Sequence, residues 1–142
     1  MPLINVEITQ GYGPEIHQQL HQRLAAVTSE LFTAPPASVR ICITEYPPSM
    51  ISIGGVQVAG RGADEGLNGT AAPDDRPLVR VSILEGRTLE ARNAWHRQAA
   101  QTVAEVLDVP LDQVRTYITE MSASAWGIAG VPTAVARAQK LS

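Results

Sequence analysis

The chain has 142 residues, of which 44% are apolar and 18% charged, with a net charge of -3. It is long enough to bury one modest core and too apolar to stay disordered. There is no basic block to follow a phosphate backbone, and aromatics make up only 4%, so nucleic acid is not an expected partner. Cys42 is the single cysteine; no intrachain disulfide can form, and a thiol inside a strand is expected to be inert packing. The first residues do not read as a charged-then-apolar leader and no run approaches a membrane span, which predicts a soluble, cytoplasmic protein. The triplet Asn68-Gly69-Thr70 matches a glycosylation acceptor and carries no meaning in that compartment.

The chain is written twice. Residues 2–59 lie over residues 77–134 without a gap, with about 20 identities in 58 pairs, far above chance for a fixed offset. Two copies are too few for a solenoid and read as a fused dimer. Residues 3–9 are apolar and β-branched, which predicts a strand. Ile16, Leu20, Leu24, Val27 and Leu31 then recur at helical spacing behind Pro14, a residue that the first helical turn tolerates. Pro35-Pro36 are expected to end that helix, and residues 38–45 to form a second strand. The segment 53–56 reads as a short turn or hairpin. Residues 60–76, rich in Gly, Asp and Ala, read as a linker.

The second copy repeats this grammar: a strand at 78–84, a helix with Ala91, Trp95, Ala99, Val103 and Val106 on one stripe, and a strand at 113–120. Thr88 can cap the helix start and Pro110 is expected to end it. A second turn or hairpin falls at 128–131. Each half is therefore β-α-β with its two strands parallel. The predicted class is α/β: residues 1–59 and 77–142 together form one compact four-stranded sheet with two helices on one face. The other face is expected to be apolar and covered by further copies of the chain.

Several motifs in order carry a family resemblance. Pro2-Leu3 opens the chain behind Met1, and Leu84-Glu85-Gly86-Arg87 closes a strand. Val114-Arg115-Thr116-Tyr117-Ile118-Thr119-Glu120-Met121 is followed by Trp126-Gly127-Ile128. The chain resembles the 4-oxalocrotonate tautomerase family in a fused form, with the tautomerase/MIF-like fold. The second half is the closer match. The turn Gly54-Gly55-Val56-Gln57 is more reminiscent of cis-3-chloroacrylic acid dehalogenase, a fused relative. The resemblance implies a homotrimer. It also implies enol-keto or double-bond isomerisation of a small 2-hydroxy or 2-oxo carboxylate such as 2-hydroxymuconate, with no metal or organic cofactor. It gives Pro2 the role of general base and Arg87 that of the arginine after strand one. Arg40 and Arg115 both match the strand-two arginine, and Trp126 matches an aromatic wall.

These residue types suit the chemistry. Removal of Met1 would leave a secondary amine at Pro2. An α-amine titrates near pH 8, and positive charge and burial lower that value, giving a neutral base near pH 7. Guanidinium groups pair with carboxylates and steady a developing enolate oxygen. Trp126, Leu84 and Ile51 are the candidate substrate contacts. Pro77, embedded in the chain, has an amide nitrogen and cannot be a base. Around it the equivalent of Arg87 is Tyr12 and the equivalent of Trp126 is Ile51, which predicts one live site and one silent relic.

The dehalogenase branch has a histidine where Thr28 stands and an arginine where Leu84 stands, and no matching acid follows Ser122. Dehalogenation, hydration or decarboxylation is the alternative within enzymes. A non-catalytic binding or assembly module is the alternative outside them, favoured if Met1 is retained. His17 and His21, one helical turn apart, lack a third metal ligand. His96 repeats His21. Glu45 and Glu120 recur in both copies and suit structural pairing as well as acid-base work.

Overall fold

Strands form where β-branched residues alternate, and the backbone pairing then fixes which face each side chain takes. In a computed structural model, which describes residues 1–59 and 74–141, β1 spans Leu3–Thr9, α1 Pro14–Leu31 and β2 Arg40–Tyr46. A hairpin of β3 (Ser52–Ile53) and β4 (Val56–Gln57) follows. In the second half β5 spans Leu78–Leu84, α2 Leu89–Leu107 and β6 Arg115–Met121. It ends in a hairpin of β7 (Gly127–Ile128) and β8 (Val131–Pro132) and a third helix, α3, at Thr133–Leu141. The sequence reading did not foresee α3. Most of the proposed linker, and the triplet at Asn68, lie outside the described residues.

The sheet order is β2-β1-β5-β6. Each β-α-β half is parallel, and the two halves meet antiparallel through β1 and β5. Ile4, Val6 and Ile8 of β1 and Val79, Val81 and Ile83 of β5 are buried on one face against Leu20, Leu24, Trp95, Ala99 and Val103 of the helices. Both helices pack on that face, as expected. No described helix is long and apolar enough to cross a membrane.

Three expectations need correction. The helices stop before the prolines: α1 ends at Leu31, and α2 ends at Leu107 with Asp108 left-handed at φ 54°. Backbone capping closes each helix first, because the Phe32 and Asp108 amides already bond to carbonyls of the last turn. The second strands begin at Arg40 and Arg115, since Pro36–Ser38 and Leu111–Gln113 coil into short 3-10 turns. The open face of the sheet is mixed rather than apolar. Asn5 bonds to Thr44, and Glu7 pairs with Arg80, which also donates to the Tyr117 hydroxyl.

Thr88 does cap α2, accepting from the Ala91 amide at 3.1 Å. Glu45 and Glu120 are used structurally, facing His17 at 3.3 Å and Arg92 at 2.8 Å from matching positions of the two helices. His96 departs from its repeat partner: its Nδ1 lies 2.8 Å from the Thr116 hydroxyl, whereas His21 is exposed.

The helices are joined by one buried polar contact. Trp95 and Thr28 are both fully buried, and the indole N–H donates to the Thr28 hydroxyl at 3.1 Å. A buried donor without a partner is costly. Thr28→Val preserves shape and orphans the indole, so urea unfolding is expected to show a loss of about 1–3 kcal/mol with the slope unchanged.

Candidate active site

Pro2 is buried at the head of β1, and its carbonyl accepts from the Arg40 amide at 3.0 Å. Met1 precedes it and lines a cavity of about 410 Å³. The walls are Leu3, Met121, Ala125, Trp126, Gly127 and Ile128. This is an apolar chamber of ligand-binding size at the chain's only α-amine.

Arg87 arrives from the end of β5. Gly86 turns the chain there at φ +114°, a conformation that an L side chain rarely adopts. The Arg87 guanidinium lies 5.8 Å above the Phe32 ring. Phe32 stacks on Trp95 at 6.3 Å between ring centroids. Arg87 Nε is buried without a hydrogen-bond partner among the described residues. The cation is held by a π face and carries no ion pair among the described residues. The amine of Met1 is held below its ordinary value of 8.0 by burial first, then by the positive charges of Arg87 and Arg137.

Arg137 was missed by the sequence reading. It sits on α3, whose first turn is pinned to the Trp126 loop. The Thr133 amide and hydroxyl both donate to the Trp126 carbonyl, at 2.7 and 3.0 Å, and the Ala134 amide donates to the Ala123 carbonyl at 2.9 Å. One turn on, Arg137 falls on the same side of the helix. It lies beyond the repeated segment, so comparing the two halves could not flag it.

The other candidates separate. Within one chain Pro2, Arg87 and Trp126 converge on the same end of the sheet. Arg40, next to Pro2 in backbone pairing, is exposed and lines a separate cavity of about 310 Å³ on the open face with Leu3, Asn5, Cys42 and Arg80. Arg115 is at the opposite half: its amide donates to the Pro77 carbonyl, and its guanidinium donates to the Asp112 carbonyl at 2.7 Å. Leu84 is buried opposite Met121 and is not part of the cavity wall. Ile51 lines a second cavity, beside Pro77. Thr28, at the dehalogenase histidine position, is committed to Trp95. Among the described residues no three His, Cys, Asp or Glu side chains cluster as a metal site.

A mixed sheet of two fused β-α-β units, with an amine and an arginine at one end, defines the tautomerase class. A family model described as "Tautomerase enzyme" matches residues 77–136. A relative from Ralstonia nicotianae, "Probable tautomerase RSp0893", is 41% identical over 61 residues, covering 43% of this chain and 87% of the relative. The "2-hydroxymuconate tautomerase" of Pseudomonas sp. (strain CF600) is 41% identical over 61 residues, covering 43% of this chain and 97% of its own. A solved structure, "F6 fused 4-OT wild type asymmetric trimer", superposes with a TM-score of 0.79 at 30% identity, covering 94% of this chain and 98% of that one. The chain belongs to the tautomerase family and has the fused, two-repeat form.

The arginines around the amine have a consequence for its titration. Removing positive charge beside an amine raises its pKa. In the chain that begins at Met1, the Met1 amine is expected to titrate below its ordinary value of 8.0 when followed by NMR. The midpoint should move to higher pH in Arg87→Gln, and by less in Arg137→Gln. Unmoved midpoints in both variants would show that neither charge acts on the amine.

Proposed function

We propose that this chain isomerises a small 2-hydroxy or 2-oxo dicarboxylate of the 2-hydroxymuconate type, with the nitrogen of Pro2 as general base once Met1 is removed. The observation that carries the reading is the convergence of the α-amine, an unpaired arginine and an apolar tryptophan-walled cavity at one end of the sheet. The 2-hydroxymuconate tautomerase among the relatives supports the choice of substrate.

The neutral Pro2 amine takes the proton of the substrate's 2-hydroxyl. The O–H electron pair becomes the C2 carbonyl bond and the double bond shifts. The carbon that gains the electrons takes the proton back from the prolinium, so the reaction is redox-neutral. Arg87 pairs with a carboxylate or the developing oxyanion. Trp126 and Met121 exclude water, which keeps the amine neutral. Neither strand-two arginine lines this cavity within one chain. A neighbouring copy in a trimer supplies one of them across the open sheet face, in keeping with the trimeric state of the fused relative.

Ketonisation of 2-hydroxymuconate, followed by ultraviolet absorbance on protein shown by intact mass to lack Met1, tests the base. Pro2→Ala should lose at least about a hundredfold in turnover, the scale of a general base. Equal rates in both proteins, or none in either, would refute the proposal. Arg40→Ala and Arg115→Ala, assayed separately, should differ: the arginine that crosses the interface should cost at least about tenfold, the scale of a lost charge-assisted hydrogen bond, and the other far less. Equal, small effects would remove the neighbouring copy from the site.

A further inference from the structure

The silent half retains its chamber. A cavity of about 420 Å³ lies beside Pro77, nearly the volume of the one at Pro2. Its wall residues Tyr46, Met50, Ile51, Ser52, Ile53 and Leu78 stand at the positions that Met121, Ala125, Trp126, Gly127, Ile128 and Leu3 occupy around the amine. Equivalent positions of the two repeats thus line both cavities, with different side chains.

Where the wall of the first cavity carries only uncharged side chains, that of the second carries carboxylates. Glu7 and Asp75 both line it, together with Arg76. Two of the nearby acids are already matched. Glu7 accepts from the Tyr46 hydroxyl and faces Arg80, each at 3.4 Å. Asp74 faces the Arg76 guanidinium at 3.6 Å and accepts from the Arg76 amide at 3.2 Å, in a turn that holds Arg76 at φ 47°.

Among the described residues Asp75 has no such partner. It is only 3% exposed; its Oδ2 accepts from the Thr9 hydroxyl, and its Oδ1 is buried with no hydrogen-bond partner among those residues. A buried carboxylate oxygen left without a donor is costly and favours a ligand that brings one. Among the described residues one carboxylate is therefore left without a cationic partner, in the wall of a cavity of mixed polar and apolar lining. A carboxylate substrate would be repelled here and a small cation attracted.

We infer that the cavity beside Pro77 is a binding site for a small organic monocation, a primary ammonium carried on a short aliphatic chain. The ammonium donates to Asp75 Oδ1 and the chain lies against Met50, Ile51, Ile53 and Leu78. The inference does not depend on the reaction proposed for the other half, because its readout is binding and not turnover.

The test is a titration of the full-length protein with n-pentylammonium chloride, followed by two-dimensional amide NMR, beside sodium hexanoate at equal ionic strength. The ammonium should give saturable shifts confined to residues 46–53 and 75–78, and hexanoate none there. Asp75→Asn keeps an acceptor for Thr9 and removes the charge; it should weaken binding at least about tenfold, the loss of a charge-assisted hydrogen bond. Ile53→Trp fills the chamber without altering charge, should also weaken binding, and decides the matter if the Asp75 variant does not fold. Absence of saturable shifts, equal or tighter binding of hexanoate, or ammonium binding untouched by the folded variants would overturn the inference.

Discussion

A polypeptide has one α-amine, and this constraint divides a nearly symmetric molecule. Duplication gave the chain two copies of the sheet-helix-sheet unit, two hairpins and two chambers of similar size. It could not give it two free proline nitrogens. The half around Pro77, whose nitrogen is an amide, carries Tyr12 and Ile51 at the positions of Arg87 and Trp126. Its chamber has meanwhile become lined with Glu7 and Asp75. Among the described residues, the same backbone thus sets arginines near the Met1 amine at one end and carboxylates in a cavity wall at the other.

The position of Arg87 depends on the core. Thr28 holds the Trp95 indole, Trp95 stacks with Phe32, and the Arg87 guanidinium rests over Phe32. A cation held on a π face keeps its charge available to a ligand, whereas one neutralised by a carboxylate does not. The counterpart of Phe32 in the second half is Leu107, which has no such face to offer. The asymmetry therefore reaches below the surface of the site, into the packing between α1 and α2.

Much of this architecture was legible in the sequence because periodicity reports local structure well. The offset repeat gave both β-α-β units, and the Thr88 cap and the Pro14 entry to α1 are where residue chemistry puts them. The helix ends were misjudged, because the Asp108 left-handed cap acts before Pro110 is reached. The open face read as apolar because the partners of Glu7 and Arg80 come from different strands, and pairing across a sheet is invisible to a one-dimensional pattern. Pro2, Arg87 and Trp126 could be named together because each lies in a recognisable motif. Arg137 and Phe32 could not: the first lies outside the repeat, and the second acts only through a ring stacked in three dimensions.

The proposed function assigns the reaction to a single amine nitrogen at one end of a duplicated fold. The most direct measurement is the stoichiometry and position of covalent labelling by 3-bromopyruvate, a 2-oxo acid whose bromide is displaced by a neutral amine. Protein lacking Met1 would be titrated with the reagent, assayed for residual activity and mapped by peptide mass spectrometry. One adduct per chain, on Pro2, formed in step with the loss of activity, is the expected result. Full activity in chains completely labelled at Pro2, or inactivation with Pro2 unmodified, would contradict it.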